Sequence, residues 1–206
     1  MATVLIGAGL SVSAQQTISG SVHDFSSAGW NTSGEICLPC HTTHNVDSGN
    51  APLWNHALTT ATGFTPYDSS VSSTMDATVG QPTGVSLACL SCHDGTIALD
   101  QFGANPGSEL ISVNYAYANV TKNLANDHPV SFAYNTALAT TDGGLHDPST
   151  QSSGVGAGTI ADDMLFAGSL ECASCHDVHN NVPTGVTHLL LKANTGSALC
   201  LTCHNK

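Results

Sequence analysis

The eight cysteines of this 206-residue chain fall into four pairs of one spacing: Cys37 and Cys40, Cys89 and Cys92, Cys172 and Cys175, Cys200 and Cys203. Each second cysteine is followed at once by a histidine, His41, His93, His176 and His204. Cys-x-x-Cys-His is the attachment signature of c-type haem. The two thiols add to the porphyrin vinyl groups as thioethers, and the adjacent imidazole becomes an axial iron ligand. Zinc also uses Cys-x-x-Cys, and eight cysteines would furnish two tetrahedral sites, but zinc leaves the four following histidines without a purpose. A disulfide framework suits a secreted chain, yet a two-residue separation favours redox or cofactor chemistry over structural bridging. The pattern therefore calls for four covalently attached haem c groups.

Each iron then needs a sixth ligand or an open face. Eleven histidines less the four proximal ones leave His23, His44, His56, His128, His146, His179 and His188. Beyond the first residues only Met75 and Met164 offer thioether sulfur, so bis-histidine ligation throughout is the economical reading, with no iron left open to substrate. His44 lies three residues after His41, and His179 three after His176, so each shares a face with its neighbour if a short helix follows the motif. Neither can reach round its own haem, and each must serve another, in this chain or in a neighbouring copy. His128 sits in Asn126-Asp127-His128-Pro129, where proline ends any helix and Asp127 is placed to orient the ring. His23, likewise next to an acid, Asp24, is a second distal candidate. His56, close to Trp54, either ligates or packs on a haem edge, and His146 and His188 read as surface or propionate-facing side chains.

The elements that must position these groups are sparse. Only 9% of residues are charged and 5% aromatic, while Gly, Ser, Thr, Asn and Ala dominate, a composition of turns and close-fitting loops around a bulky cofactor. Sustained helical periodicity is missing. Short helices are expected at the motifs and after them, for instance over 52–60 and 185–193, with strand-like alternation confined to 111–113 and 130–132. The fold class is mainly coil with short α-helices and very little β, wrapped around four haems, whose apolar surface completes the core and couples folding to haem insertion.

The first and third motifs share the form Cys-x-x-Cys-His-x-x-His-Asn, and the second and fourth share Cys-Leu-x-Cys-His. The chain thus reads as one tetrahaem domain over 15–206 built from two haem-pair units, 15–105 and 106–206. Residues 4–14 form a short apolar run ending in Val12-Ser13-Ala14, which fits a signal-peptidase site after Ala14 although no basic residue precedes it. This 1–14 leader, shortened at its start, implies secretion, as extracytoplasmic haem attachment requires. The run is too short for a transmembrane span. Three lysines, Lys122, Lys192 and Lys206, and no arginine stand against fifteen acids, for a formal charge of -12, so nucleic acid is excluded as a partner.

At these residues the chain resembles the multihaem c-type cytochromes of metal-reducing bacteria, and among them the tetrahaem subunits of extracellular cytochrome filaments. The resemblance is carried by His23-Asp-Phe-Ser, 37–45, Pro52-Leu-Trp-Asn-His56, Asp127-His-Pro-Val-Ser-Phe132, 172–180 and 200–206. It implies a homopolymer in which the histidine three residues after the first motif, His44 here, ligates a haem of the adjacent subunit, with haems in alternating parallel and T-shaped pairs. A head-to-tail contact that does not close generates such a filament. The expected function is electron transport to external acceptors such as metal oxides, fed by redox partner cytochromes, at the cell surface or outside the cell. A soluble periplasmic tetrahaem shuttle is the alternative. An enzyme of the nitrite- or hydroxylamine-processing kind would need one open iron, whereas all four motifs here end in His and spare histidines are plentiful.

Overall fold

The computed structural model describes residues 18–44, 51–181 and 186–205; the leader reading over 1–14 lies outside them. The described chain is mostly loop and turn. Five short helices interrupt it: α1 Gly84–His93, α2 Ile111–Asn114, α3 Thr136–Asp142, α4 Ile160–Asp163 and α5 Cys200–Cys203. Single 3-10 turns occur at Ala116–Ala118, Cys172–Ser174 and Thr195–Ser197. The one ladder is an antiparallel pair of two-residue strands, β1 Phe132–Ala133 and β2 Ser169–Leu170, with Phe132 opposite Leu170.

Local chemistry explains where the helices start and stop. In α3 the Asn135 side chain accepts the Leu138 N–H at 3.0 Å, and Gly143, at φ 66°, closes the end in the left-handed region. Thr159 and Asp162 form a reciprocal capping box on α4. The loop before α4 is cinched by Asp163, which accepts from Ser153 Oγ and from the Gly158 N–H at 3.0 Å. A Cβ at Gly158 would stand 2.8 Å from Asp163 Oδ1, so only glycine lets the backbone approach that closely.

Helix α1 carries the second motif and buries small residues, Ser86, Ala88 and Ser91, together with Leu90. Small side chains on that face let the third motif and the 59–61 loop come close. Ser91 Oγ accepts the Thr59 N–H at 2.9 Å, and Ser86 Oγ accepts the Cys172 N–H at 3.0 Å. The principal apolar cluster gathers Phe132, Tyr134, Ala139, Ile160, Met164, Leu170 and Leu199. A smaller one holds Phe64, Leu90 and Leu124.

Several local expectations are corrected. Helices form at the second and fourth motifs, a 3-10 turn at the third and a hydrogen-bonded turn at the first, but none follows a motif over 52–60 or over the described part of 185–193. There the chain instead turns at 52–53 and 188–189 and makes isolated bridges, His41 to Trp54 and His176 to Leu190, a path that brings a turn carbonyl to each motif histidine. Residues 111–113, expected as strand, belong to α2, since the i to i+3 and i+4 hydrogen bonds of one turn supply partners that no neighbouring strand provides there.

Candidate functional site: four Cys-x-x-Cys-His motifs and their histidines

In the first motif the Cys40 and His41 N–H groups both return to the Cys37 carbonyl, at 3.1 and 2.8 Å; in the third, Cys175 and His176 return to Cys172 at 3.2 and 3.1 Å. This single helical turn puts both cysteines and the histidine on one side of the backbone. The ring orientation is set by distant carbonyls. Nδ1 of His41 lies 2.8 Å from the Pro52 carbonyl, that of His93 2.7 Å from Ala118, and that of His176 3.0 Å from His188. A carbonyl oxygen accepts only from a protonated nitrogen, so each contact fixes the proton on Nδ1 and turns the Nε2 lone pair outward as a metal ligand.

Three motif histidines face a second histidine ring at nearly one separation. The centroids are 6.0 Å apart for His93 and His23, 6.0 Å for His41 and His179, and 6.4 Å for His204 and His128. Two imidazoles holding one ion at about 2 Å each would place their ring centres about 6 Å apart. The His41 and His179 planes are nearly parallel at 16°, whereas His128 and His204 stand at 73°. Nδ1 of His128 lies 2.9 Å from the Pro129 carbonyl, the same tautomer-fixing contact that His41, His93 and His176 make. His176 makes no ring contact with another histidine among the described residues. His44 is exposed and likewise makes none.

The remaining candidates occupy different places. His56 is buried, with Nδ1 2.8 Å from the Ala57 carbonyl, Nε2 2.9 Å from that of Ala98, and Nε2 3.6 Å from Cys92 Sγ. It packs against the second motif's cysteine. Asp127 does not orient His128, whose Nδ1 is taken by the proline carbonyl; its buried Oδ2 has no hydrogen-bond partner and desolvation raises its pKa. Asp24 turns back to Gly20 and Ser26 rather than to His23. The orienting carbonyls of Pro52, Ala118 and His188 are functional groups that no side-chain pattern announces. Leu53 and Leu189, which follow two of them, hold φ of 54° and 53°.

Burial pushes the Cys40 and Cys175 thiols up to about 11 and Cys92 to about 12, whereas the hydrogen bond with Cys89 holds Cys172 down at about 7. No three Cys, His, Asp or Glu side chains converge as a metal cluster among the described residues, and the cysteines are free. His23 is lowered to about 4, first by burial and then by the nearby His93 and His176, so it stays neutral and ligand-ready at neutral pH. Its Nδ1 is buried without a partner, as is Trp54 Nε1, whose indole lies against His41. An iron ion and a propionate are groups that would satisfy such orphaned atoms. Val22, Leu53, Val178 and Leu201, all exposed, border these histidines and offer apolar surface to a porphyrin.

The chain matches the pattern of the doubled CXXCH motif over residues 165–206, which contains the third and fourth motifs. No curated protein matches the chain. The doubled motif indicates covalently bound haem c and electron-transfer chemistry of the multihaem c-type cytochrome kind, and the mostly coiled fold with few short helices fits a chain wrapped around such groups.

Proposed function

We propose that the chain carries four haem c groups, one on each motif, and works as a subunit of an extracellular cytochrome filament that passes respiratory electrons to external acceptors such as metal oxides. The observation that carries this reading is the imbalance among the histidines. Three proximal rings have an in-chain partner at 6.0–6.4 Å, while among the described residues His176 has no ring contact with another histidine; His44, His56, His146 and His188 are left over, and of these exposed His44 alone stands three residues after a motif histidine. A copy that offers His44 to His176 of its neighbour would saturate every iron and leave a free His44 at one end and an unmet His176 at the other. Such a head-to-tail contact builds a filament when its rotation does not close.

In this reading His23, His128, His179 and the neighbour's His44 are the distal ligands, opposite His93, His204, His41 and His176, and His56 packs beside the Cys92 sulfur. Haem c supplies a one-electron Fe(III)/Fe(II) couple. The cysteines would hold it covalently, carbonyls fix the His41, His93, His176 and His128 rings, and with every axial position filled no substrate site would open. Secretion follows from covalent attachment outside the cytoplasm. Among the described residues no helix is long and apolar enough to cross a membrane. The unit spans 15–206 as one domain of two haem-pair halves. The shared arrangement of the first and third motifs supports that reading: each proximal histidine bridges to a segment whose carbonyl takes its Nδ1, followed by a leucine at positive φ.

Cryo-electron microscopy of the purified native protein tests the proposal. Filaments in which His44 ligates a haem of the adjacent subunit are expected. Monodisperse particles with four internally saturated haems would sink it and leave a periplasmic shuttle.

A further inference from the structure

Glu171, immediately before Cys172, is 3% exposed. Its carboxylate accepts hydrogen bonds from Ser86 Oγ on α1, from Ser131 Oγ at 2.8 Å and from the Ser174 N–H. Ser86 and Ser174 are fully buried, and the Ser174 hydroxyl returns a hydrogen bond, accepting the Glu171 N–H at 2.8 Å. Gly84, at φ 54°, lets α1 begin against this carboxylate, since a Cβ there would stand 3.1 Å from Oε1. Each of these donors is neutral, and neither described lysine, Lys122 or Lys192, is among them. A carboxylate so solvated is a fixed negative charge inside the protein, where charge interactions are far stronger than in water.

The place of that charge is specific. Ser86 belongs to the helix carrying Cys89, and its Oγ also accepts the Cys172 N–H, so one serine ties the second motif to the third. The thiols of Cys89 and Cys172 share a hydrogen bond that pushes Cys89 up and holds Cys172 down at about 7, and the nearby Glu171 charge works against ionisation of each. A second buried carboxylate, Asp94, follows His93 of the second motif, whereas near Cys203 of the fourth stands the ammonium of Lys192, which donates to Thr202 Oγ1 at 3.0 Å and to the Ser153 carbonyl at 3.1 Å.

We propose that Glu171 is a potential-setting residue, a buried anion at the junction of the second and third motifs that lowers the reduction potentials of the two haems attached there relative to those at the first and fourth. The inference rests on the haem reading above. The couple is Fe(III) plus one electron giving Fe(II), with no bond made or broken and no proton moved at Glu171. The oxidised site carries the extra positive charge, so a fixed anion favours it and electrons dwell on the haems of the first and fourth motifs.

The test uses the intact holoprotein with Glu171→Gln, Glu171→Asp and Ser131→Lys. The last sets an ammonium against the carboxylate from its half-buried edge without touching a motif. Haem content by pyridine haemochrome and spin state by absorption are measured first, then the reductive titration with dithionite is resolved into one-electron components. Two of four components should move to higher potential in Glu171→Gln and in Ser131→Lys, the other two staying in place, with Glu171→Asp restoring the native curve. Full haem content with unmoved components, or with all four moving together, overturns the assignment of Glu171 alone. Should Glu171→Gln lose haem, Ser131→Lys decides by the same criterion. A native protein without covalent haem would overturn the electron-transfer reading instead.

Discussion

Replacing His44 with alanine removes the side chain that the filament reading assigns to a neighbouring iron. Three proximal histidines, His41, His93 and His204, have a partner ring within the chain, so their haems are untouched by this change. The haem on His176 alone loses its distal ligand. One haem in four should therefore turn from low-spin six-coordinate to high-spin, and the low-spin near-infrared and Soret components should fall by that share. Each subunit contact also loses a metal–ligand bond. Structural metal sites of four ligands are worth about 10–16 kcal/mol, hence about 3 kcal/mol per ligand, or about two decades in subunit affinity. Sedimentation of the variant should thus show short oligomers or monomers where the native protein forms filaments. Added imidazole should restore the low-spin spectrum without restoring the polymer. His179→Ala is the control: it also frees one haem, that of His41, but leaves the subunit contact in place. If His44→Ala retained both a fully low-spin spectrum and its filaments, the assignment of His44 would be refuted, and with it the use of the three ring pairs as a count of in-chain ligation.

Other outcomes follow from single contacts. Lys192→Gln removes the cation near Cys203 and should move one redox component, that of the fourth motif, to lower potential, read by the same spectroelectrochemical titration. Ile160 is wholly buried in the main apolar cluster, so Ile160→Ala should cost about 2–5 kcal/mol of stability, seen as a lowered midpoint in guanidinium. Asp147 is held below the usual carboxylate range by the Ser149 N–H, then by the Ser149 and Thr136 hydroxyls. A depressed carboxylate adds stability above its unfolded value of about 4, and loses it as pH falls through the folded value. Asp147→Ala should therefore lower the melting temperature at pH 7, and the difference from native should close on acidification below about pH 4; a difference that persisted at pH 2 would show the effect to be packing rather than charge.

How much of this could be read without coordinates divides along a physical line. Covalent chemistry is local. Four Cys-x-x-Cys-His motifs are written in consecutive residues, because the two thiols and the imidazole that haem c attachment calls for come from one turn of chain, and that turn recurs at Cys37, Cys89, Cys172 and Cys200. The coil-rich fold was legible too, since a composition poor in aromatic and charged side chains and rich in Gly, Ser, Thr and Asn cannot sustain long amphipathic helices. The distal partners are a different matter. His179 meets His41, and His128 meets His204, across separations that no periodicity encodes, because loops rather than helices carry them. The carbonyls of Pro52, Ala118 and His188 are backbone groups that every residue possesses, so only the path of the chain selects them. Glu171 looks like any acid beside a motif until Ser86 and Ser131, from distant parts of the sequence, close over it. Residue types thus determine which cofactor chemistry the chain can carry, while tertiary structure decides which imidazole faces which iron and where a charge is sealed from water, because both depend on contacts between segments far apart in sequence.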